Sequence, residues 1–396
     1  MFLQKTIKRN PSLITTAVTL HQKGLIPANS YLIDLDTVKE NAQLMKTKAD
    51  RLGLKVFAMT KQIGRNPAVM HTLMEAGIDS AVCVDMADAR RVHAAGMKIG
   101  HLGHLVQVPF AEIPAAVNMR PQYWTVYSLQ KAKDISDAIP EGYTQNILLR
   151  VYADGDTFYT GHEGGFPASE IPSVIAEIEK MPGLHFAGLS TFPTQLFNAE
   201  TLTVSHTHNY ETLKKLKKDL ETLGYQDLEI NAPGTTSSHL FEEMAATGAT
   251  QVEPGHGLTG STPIHALKDM DELPAMVYVS EVSHLYKGRG YCYGGGMYID
   301  PVFPDYQVKA CVANTPEDIL THTVLCDMPS PAAIDYYGIL HEDPRVQIND
   351  TVVFGFRAQA FVTRAFVVPV SGISHELPVV EGIYDSDGKR MGWPNW

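Results

Sequence analysis

Only four cysteines occur in the chain, Cys83, Cys292, Cys311 and Cys326, and no two of them stand in a C-x-x-C pair. A disulfide framework belongs to small secreted chains, so this set points to a reducing compartment. Basic residues are also scarce: 32 Lys plus Arg face 44 Asp plus Glu, a net charge of −12. That balance repels nucleic acid and anionic lipid, which leaves a small molecule as the expected partner. No apolar run approaches the roughly 18 residues of a membrane-spanning helix. Met1 to Pro11 holds Lys5, Lys8 and Arg9 but no continuous apolar stretch and no small-residue cleavage site, so it does not read as a signal peptide. A cytoplasmic location is expected.

What is present is an ordinary globular composition, 44% hydrophobic and 19% charged over 396 residues. That length suggests two domains, or one large α/β barrel with an appendage. From Ser30 to Gly257 short β-branched or aromatic runs alternate with stretches of helical apolar spacing, the rhythm of parallel strands joined by helices. The strands are expected at Tyr31–Leu35, Lys55–Met59, Ser80–Val84, Ile99–Leu102, Tyr123–Tyr127, Asn146–Tyr152, His185–Leu189 and Leu228–Asn231, with a short run at Gln251–Glu253. The intervening helices include a long one over Ala199–Leu223. About eight such units predict a (β/α)8 TIM barrel over residues 28–270, with chemistry at the C-terminal ends of the strands. After Asp271 strands follow one another without helices, punctuated by Gly and Pro. Residues 271–396, with 1–27 packed on them, are therefore expected to form a second, mainly antiparallel β domain.

The strand ending at Met59 runs into Lys61, which places an amine at the barrel mouth, where apolar walls lower its pKa. A lysine so placed can form a Schiff base, although a solvated lysine at a strand end is the commoner outcome. Two later loops, Asn231–Ser238 and Glu253–Gly260, combine glycine, hydroxyls and a helix start, the ingredients of a phosphate cradle and also of a plain capping loop. His101 and His104 stand at a strand end and in its loop, where hydrogen-bonded structural histidines are the commoner outcome, while His206 and His208 are two apart on an expected helix and do not chelate together. No metal is expected.

In their order and spacing these segments resemble the fold-type III pyridoxal-phosphate enzymes, the alanine racemase-like class, and within it the YhfX-type branch. The likeness covers nearly the whole chain and is strongest from Ser30 to Gly260. It implies pyridoxal 5'-phosphate as cofactor, an amino acid or derivative as substrate, and a homodimer. Phe57-Ala-Met-Thr-Lys61 occupies the place of the cofactor-holding lysine. Thr235, Thr236, Gly255 and His256 match the phosphate-binding positions, and Arg150 matches a basic residue near the cofactor ring.

Three departures stand out. Arg65 replaces a phosphate-binding tyrosine, Phe192 replaces a histidine facing the pyridine, and Glu253 replaces the arginine at the ring nitrogen. A carboxylate there keeps that nitrogen protonated and deepens the electron sink, as in basic amino-acid decarboxylases of this fold. Tyr293, in a Tyr-Gly pair, resembles the tyrosine that reaches the partner subunit's site, with Tyr286 and Tyr291 close by as rivals for that role. Lys61 and Tyr293 would then be bases on opposite faces of Cα, as racemisation requires. Cys326 and Arg357 match substrate-lining positions, although for Cys326 a buried structural thiol is the commoner outcome. The expectation is an amino-acid racemase. The alternatives are a lyase or decarboxylase of the same fold, a non-catalytic cofactor-binding protein, or a cofactor-free aldolase using Lys61.

Overall fold

The structure, a computed structural model, describes residues 1–298, 303 and 307–394. Of the expected second domain, residues 299–302, 304–306 and 395–396 thus lie outside the described ones. The chain packs as two compact units, one made of Met1–Gln43, Lys61–Thr72 and His256–Trp396, the other of Leu44–Thr60 and Leu73–Gly255. The sequence division at 27/28 and 270/271 is coarser than this, because the chain crosses between the units four times.

The second unit holds the parallel barrel. Lys55–Val56 and Ala58–Met59 are two halves of one strand interrupted at Phe57. From it the pairing runs in parallel through Ser80–Cys83, Lys98–Leu102, Tyr123–Val126, Gln145–Tyr152, Leu184–Ser190, Glu229–Asn231 and Gln251–Val252, and returns to Lys55–Val56. Eight parallel strands therefore close on themselves, leaving no edge. Phe57, Met59, Val82 and Val84 form a buried cluster, and a Cβ on Gly100 would run into the Phe57 ring, so glycine is required there. Local chemistry fixes the helices. Asp85 and Ser128 cap Met86–Ala94 and Leu129–Ala138 through the backbone N–H groups of Asp88 and Lys131, contacts worth about 1 kcal/mol each. In Ile171–Ile178 the buried residues Ile171, Val174, Ile175 and Ile178 follow the helical repeat.

Two expectations are corrected. The run read as the first barrel strand, observed as Ser30–Asp34, pairs antiparallel with Met276–Tyr286 and parallel with Phe366–Ser371, so it belongs to the other unit's sheet. Its apolar pattern is that of any fully buried strand and carries no sign of which sheet receives it. The long helix expected over Ala199–Leu223 is a hairpin, Gln195–Asn198 with Thr203–His206, followed by the helix His208–Thr222. Asn198 Oδ1 accepts from the N–H groups of Glu200 and Thr201, and Leu202 turns at φ 55°; this Asx turn breaks the helix.

In the first unit six antiparallel strands close into a small barrel in the order Met276–Tyr286, Arg289–Tyr293, Tyr337–Leu340, Thr323–Asp327, Lys309–Ala313 and Thr351–Phe354. Arg289–Tyr293 and Tyr337–Leu340 escape the sequence pattern because glycine and tyrosine replace aliphatic alternation in them. Helices Phe2–Arg9 and Pro11–Gln22 bury Leu3, Leu13, Ile14 and Val18 against Val277, Val279, Val353 and Val368 of this unit. Asn10 caps the second helix and Pro11 starts it. Among the described residues no helix is long and apolar enough to cross a membrane.

Candidate active site

The carboxyl ends of the second unit's strands carry a continuous hydrogen-bonded network. Ser190 Oγ donates to Asn231 Oδ1 at 2.9 Å, and Asn231 Nδ2 donates to Glu253 Oε1 at 2.7 Å. From the other side His101 Nδ1 meets the same Oε1 at 2.6 Å, and His101 Nε2 meets Thr125 Oγ1 at 2.6 Å. Every member is buried. Glu253 follows the strand Gln251–Val252, and Asn231 and Ser190 end theirs, so parallel closure converges these side chains. Glu253 Oε2 accepts no hydrogen bond, and its neighbour is His104 Nε2 at 3.5 Å. Burial opposes the charge of Glu253, but His104, His101 and the hydrogen bonds from His101 and Asn231 outweigh it and hold the carboxyl at about 2.

His101, His104 and Glu253 bring ligand atoms within 4.8 Å of one another. The sequence placed both imidazoles at the barrel mouth without a partner. It missed Asn231, Ser190 and Thr125 as members of the network, although Asn231 and Ser190 stand at strand ends.

Arg150, fully buried on Gln145–Tyr152, gives one nitrogen to the carbonyls of Phe192 (3.1 Å) and His162 (3.3 Å), while Nε and Nη1 have no protein acceptor. Burial lowers its pKa, countered by Tyr127 and Asp156. Two imidazoles lie beside Phe192, whose ring centroid is 5.4 Å from that of His104 and 5.9 Å from that of His162. Thr191 Oγ1 is buried without a partner. In the loop after Asn231, the Thr235 N–H is committed to the Gln195 carbonyl and the Thr236 hydroxyl to the Gly234 carbonyl. A Cβ on Gly234 would stand 2.5 Å from the Gln195 carbonyl oxygen, so the backbones touch there. The Gln195 amide, both atoms buried, has no partner.

The first unit holds Lys61, at the head of the turn Lys61–Ile63, with Nζ 5.7 Å from the centroid of the Phe361 ring. Arg65, at φ 51°, lies over the same ring at 5.4 Å and is fixed to Asp387 at 2.7 Å. His256 is buried, its Nε2 donating to the Ala358 carbonyl at 2.8 Å. Burial, then Arg357 and more weakly Lys61 as neighbouring cations, hold its pKa well below 6.5. Tyr293 is 38% exposed, with its ring 5.9 Å from that of Tyr337. Cys326 is buried, and its hydrogen bond with Cys292, then burial, push the thiol pKa well up, which fits a structural thiol. All four cysteines are buried, and none of them is joined in a disulfide.

A cofactor with an aldehyde, a pyridine nitrogen and a phosphate fits the donor set. The second unit offers an unsaturated carboxylate oxygen, two unsaturated guanidinium nitrogens and an unsaturated hydroxyl, all buried at the strand ends where barrels of this kind carry their chemistry.

Comparison with known proteins agrees with this reading of the fold. A family model described as "Alanine racemase, N-terminal domain" matches residues 33–263, and one described as "YhfX-like, C-terminal domain" matches residues 277–380. A relative from Escherichia coli (strain K12), named "Uncharacterized protein YhfX", is 38% identical over 99% of this chain and 100% of its own length. D-threonine aldolase from Filomicrobium marinum is similar in structure at TM-score 0.65, 17% identity, 92% of this chain and 96% of its own. Alanine racemase from Corynebacterium glutamicum is similar at TM-score 0.60, 18% identity, 85% of this chain and 93% of its own.

Proposed function

The chain belongs to the alanine racemase-like, fold-type III pyridoxal-phosphate family, in its YhfX-like branch, and on that premise we propose that it is a pyridoxal-phosphate-dependent enzyme acting at the Cα of an amino acid as a racemase. The observation that carries the cofactor part of the reading, which a racemase and a lyase share, is Glu253: a buried carboxylate at the carboxyl end of the barrel strands with one oxygen saturated and the other without a hydrogen bond. When bound, pyridoxal phosphate supplies an electron sink that stabilises negative charge at Cα.

In this reading Lys61 would hold the cofactor aldehyde through its ε-amine and would move the Cα proton on its own face. Tyr293 of a second copy holds or returns that proton on the opposite face, which makes the enzyme a homodimer. Glu253 Oε2 would keep the pyridine nitrogen protonated, and Arg150 would offer the cofactor its two nitrogens that have no protein acceptor. The Thr235–Thr236 loop and the Gly255–His256 turn hold the phosphate, and Arg357 orients the substrate carboxylate. Cys326, as a buried thiol, shapes the wall only. A cytoplasmic location fits four buried cysteines with no disulfide among them.

A lyase or decarboxylase is the second reading, favoured by Glu253, by Arg65 tied to Asp387, and by Phe192 in place of a histidine. The likeness to D-threonine aldolase is consistent with it. The test incubates cofactor-loaded protein with a panel of D- and L-amino acids and follows products by chiral chromatography and mass spectrometry. Racemisation yields the opposite enantiomer at unchanged mass; an aldehyde, a keto acid or a decarboxylated amine supports the lyase. No turnover of any panel member by loaded protein contradicts both.

A further inference from the structure

The two donors on Glu253 are arranged with a single sense. Oε1 of a carboxylate can only accept, which fixes a proton on His101 Nδ1 and another on Asn231 Nδ2. Asn231 in turn can offer only its Oδ1 to Ser190, whose hydroxyl donates to it. Two chains from opposite sides of the barrel therefore end on one oxygen, at 2.6 and 2.7 Å, and none ends on Oε2. We infer that His101 and Asn231 are positioning residues that hold Glu253 as a carboxylate and in one orientation, so that a proton shared between Oε2 and the pyridine nitrogen of bound cofactor resides on the nitrogen.

The inference rests on the reading of Glu253 as the ring-nitrogen partner. Its physical content is a competition between two bases. A buried carboxyl left to itself becomes a stronger base, because burial penalises its charged form. It would then take the shared proton, leaving an unprotonated pyridine and a weaker electron sink. Hydrogen bonds to the anion reverse that preference. Among the described residues the other charged or titratable group beside Glu253 is His104, 3.5 Å from Oε2, which adds to the same tendency. A metal ion held by the three residues is the competing use of the cluster. The His101–Glu253 contact argues against it, since 2.6 Å is a direct hydrogen-bond distance with Nδ1 already committed to the carboxylate.

The experiment loads wild type, His101→Phe, His101→Asn and Glu253→Gln with pyridoxal phosphate labelled with nitrogen-15 in the ring and reads the ring nitrogen by NMR, with no substrate present. Metal content is measured on each protein as purified. Wild type is expected to show a protonated ring nitrogen. His101→Asn, whose amide can stand where Nδ1 stands, keeps that signal. His101→Phe shifts it toward the unprotonated pyridine position, and its protonation midpoint falls by about one pH unit or more. Glu253→Gln shows the unprotonated form. An unchanged signal in His101→Phe overturns the inference while leaving the cofactor reading intact, and a stoichiometric metal ion in wild type also overturns it. Failure of wild type to take up the cofactor defeats the proposed function instead. If His101→Phe does not fold, Asn231→Leu replaces it, with the same shift expected and the same unchanged signal decisive against the idea.

Discussion

His101 Nδ1 and Glu253 Oε1 lie 2.6 Å apart, on side chains that are both buried. An imidazole and a carboxylate so placed are neither surface charges nor packing filler, because each would be costly alone in that environment. Glu253→Gln keeps the shape and one acceptor, so it should lower turnover by about a hundredfold while moving Tm little. Glu253→Ala strands both donors and should cost about 1–3 kcal/mol for each. Turnover and thermal unfolding of the two variants check this. Equal turnover in Glu253→Gln and wild type would remove Glu253 from the chemistry.

Gly234 touches the Gln195 backbone at a distance no Cβ tolerates. Gly234→Ala should push the Thr235–Thr236 loop off its seat and weaken retention of pyridoxal phosphate by about tenfold or more. Equilibrium dialysis of the loaded protein measures it. Unchanged affinity would place the phosphate elsewhere.

His256 gives a pH signature. Its folded pKa lies well below the ordinary 6.5, so below that pH the unfolded chain binds a proton the folded one does not. Stability is fully present above 6.5 and falls as pH falls toward the folded value, by up to about 1.4 kcal/mol per pH unit. His256→Gln retains a donor for the Ala358 carbonyl but does not titrate. Between about pH 7.5 and about pH 5.5 its Tm should therefore decline less than that of wild type. Parallel declines would show that His256 is not held neutral.

Tyr293 is the proposed base on the face opposite Lys61. With a turned-over amino acid in deuterated water, Tyr293→Phe should slow racemisation by about a hundredfold or more, yet keep exchange of the Cα hydrogen in the enantiomer whose proton Lys61 takes. Equal loss of exchange from both enantiomers, or no loss, would contradict the two-base assignment.

The barrel was legible because eight strands with carboxyl-end loops repeat in register with their helices. One strand was assigned to the wrong sheet: Ser30–Asp34 is as apolar as a barrel strand but pairs in the antiparallel sheet. The hairpin at Gln195–His206 was lost to an apolar spacing that also fits a helix, and the decisive Asn198 turn is local hydrogen bonding that periodicity does not register. Of the candidate site, Glu253, Lys61 and Arg150 were singled out in the sequence from their places at strand ends and from resemblance. The partners of Glu253 were not, since Asn231, His101 and Thr125 lie 22, 152 and 24 residues from the groups they meet, and only parallel closure joins them.

The central claim is that Lys61 carries pyridoxal phosphate. The direct test records the near-ultraviolet and visible absorbance of the purified, cofactor-loaded protein before and after borohydride, then maps the reduced adduct by peptide mass spectrometry, with Lys61→Ala alongside. The account predicts a band in wild type that borohydride abolishes, a pyridoxyl mass on Lys61, and neither in the variant. A colourless wild type that takes up no pyridoxal phosphate, or an adduct on another lysine, would contradict it.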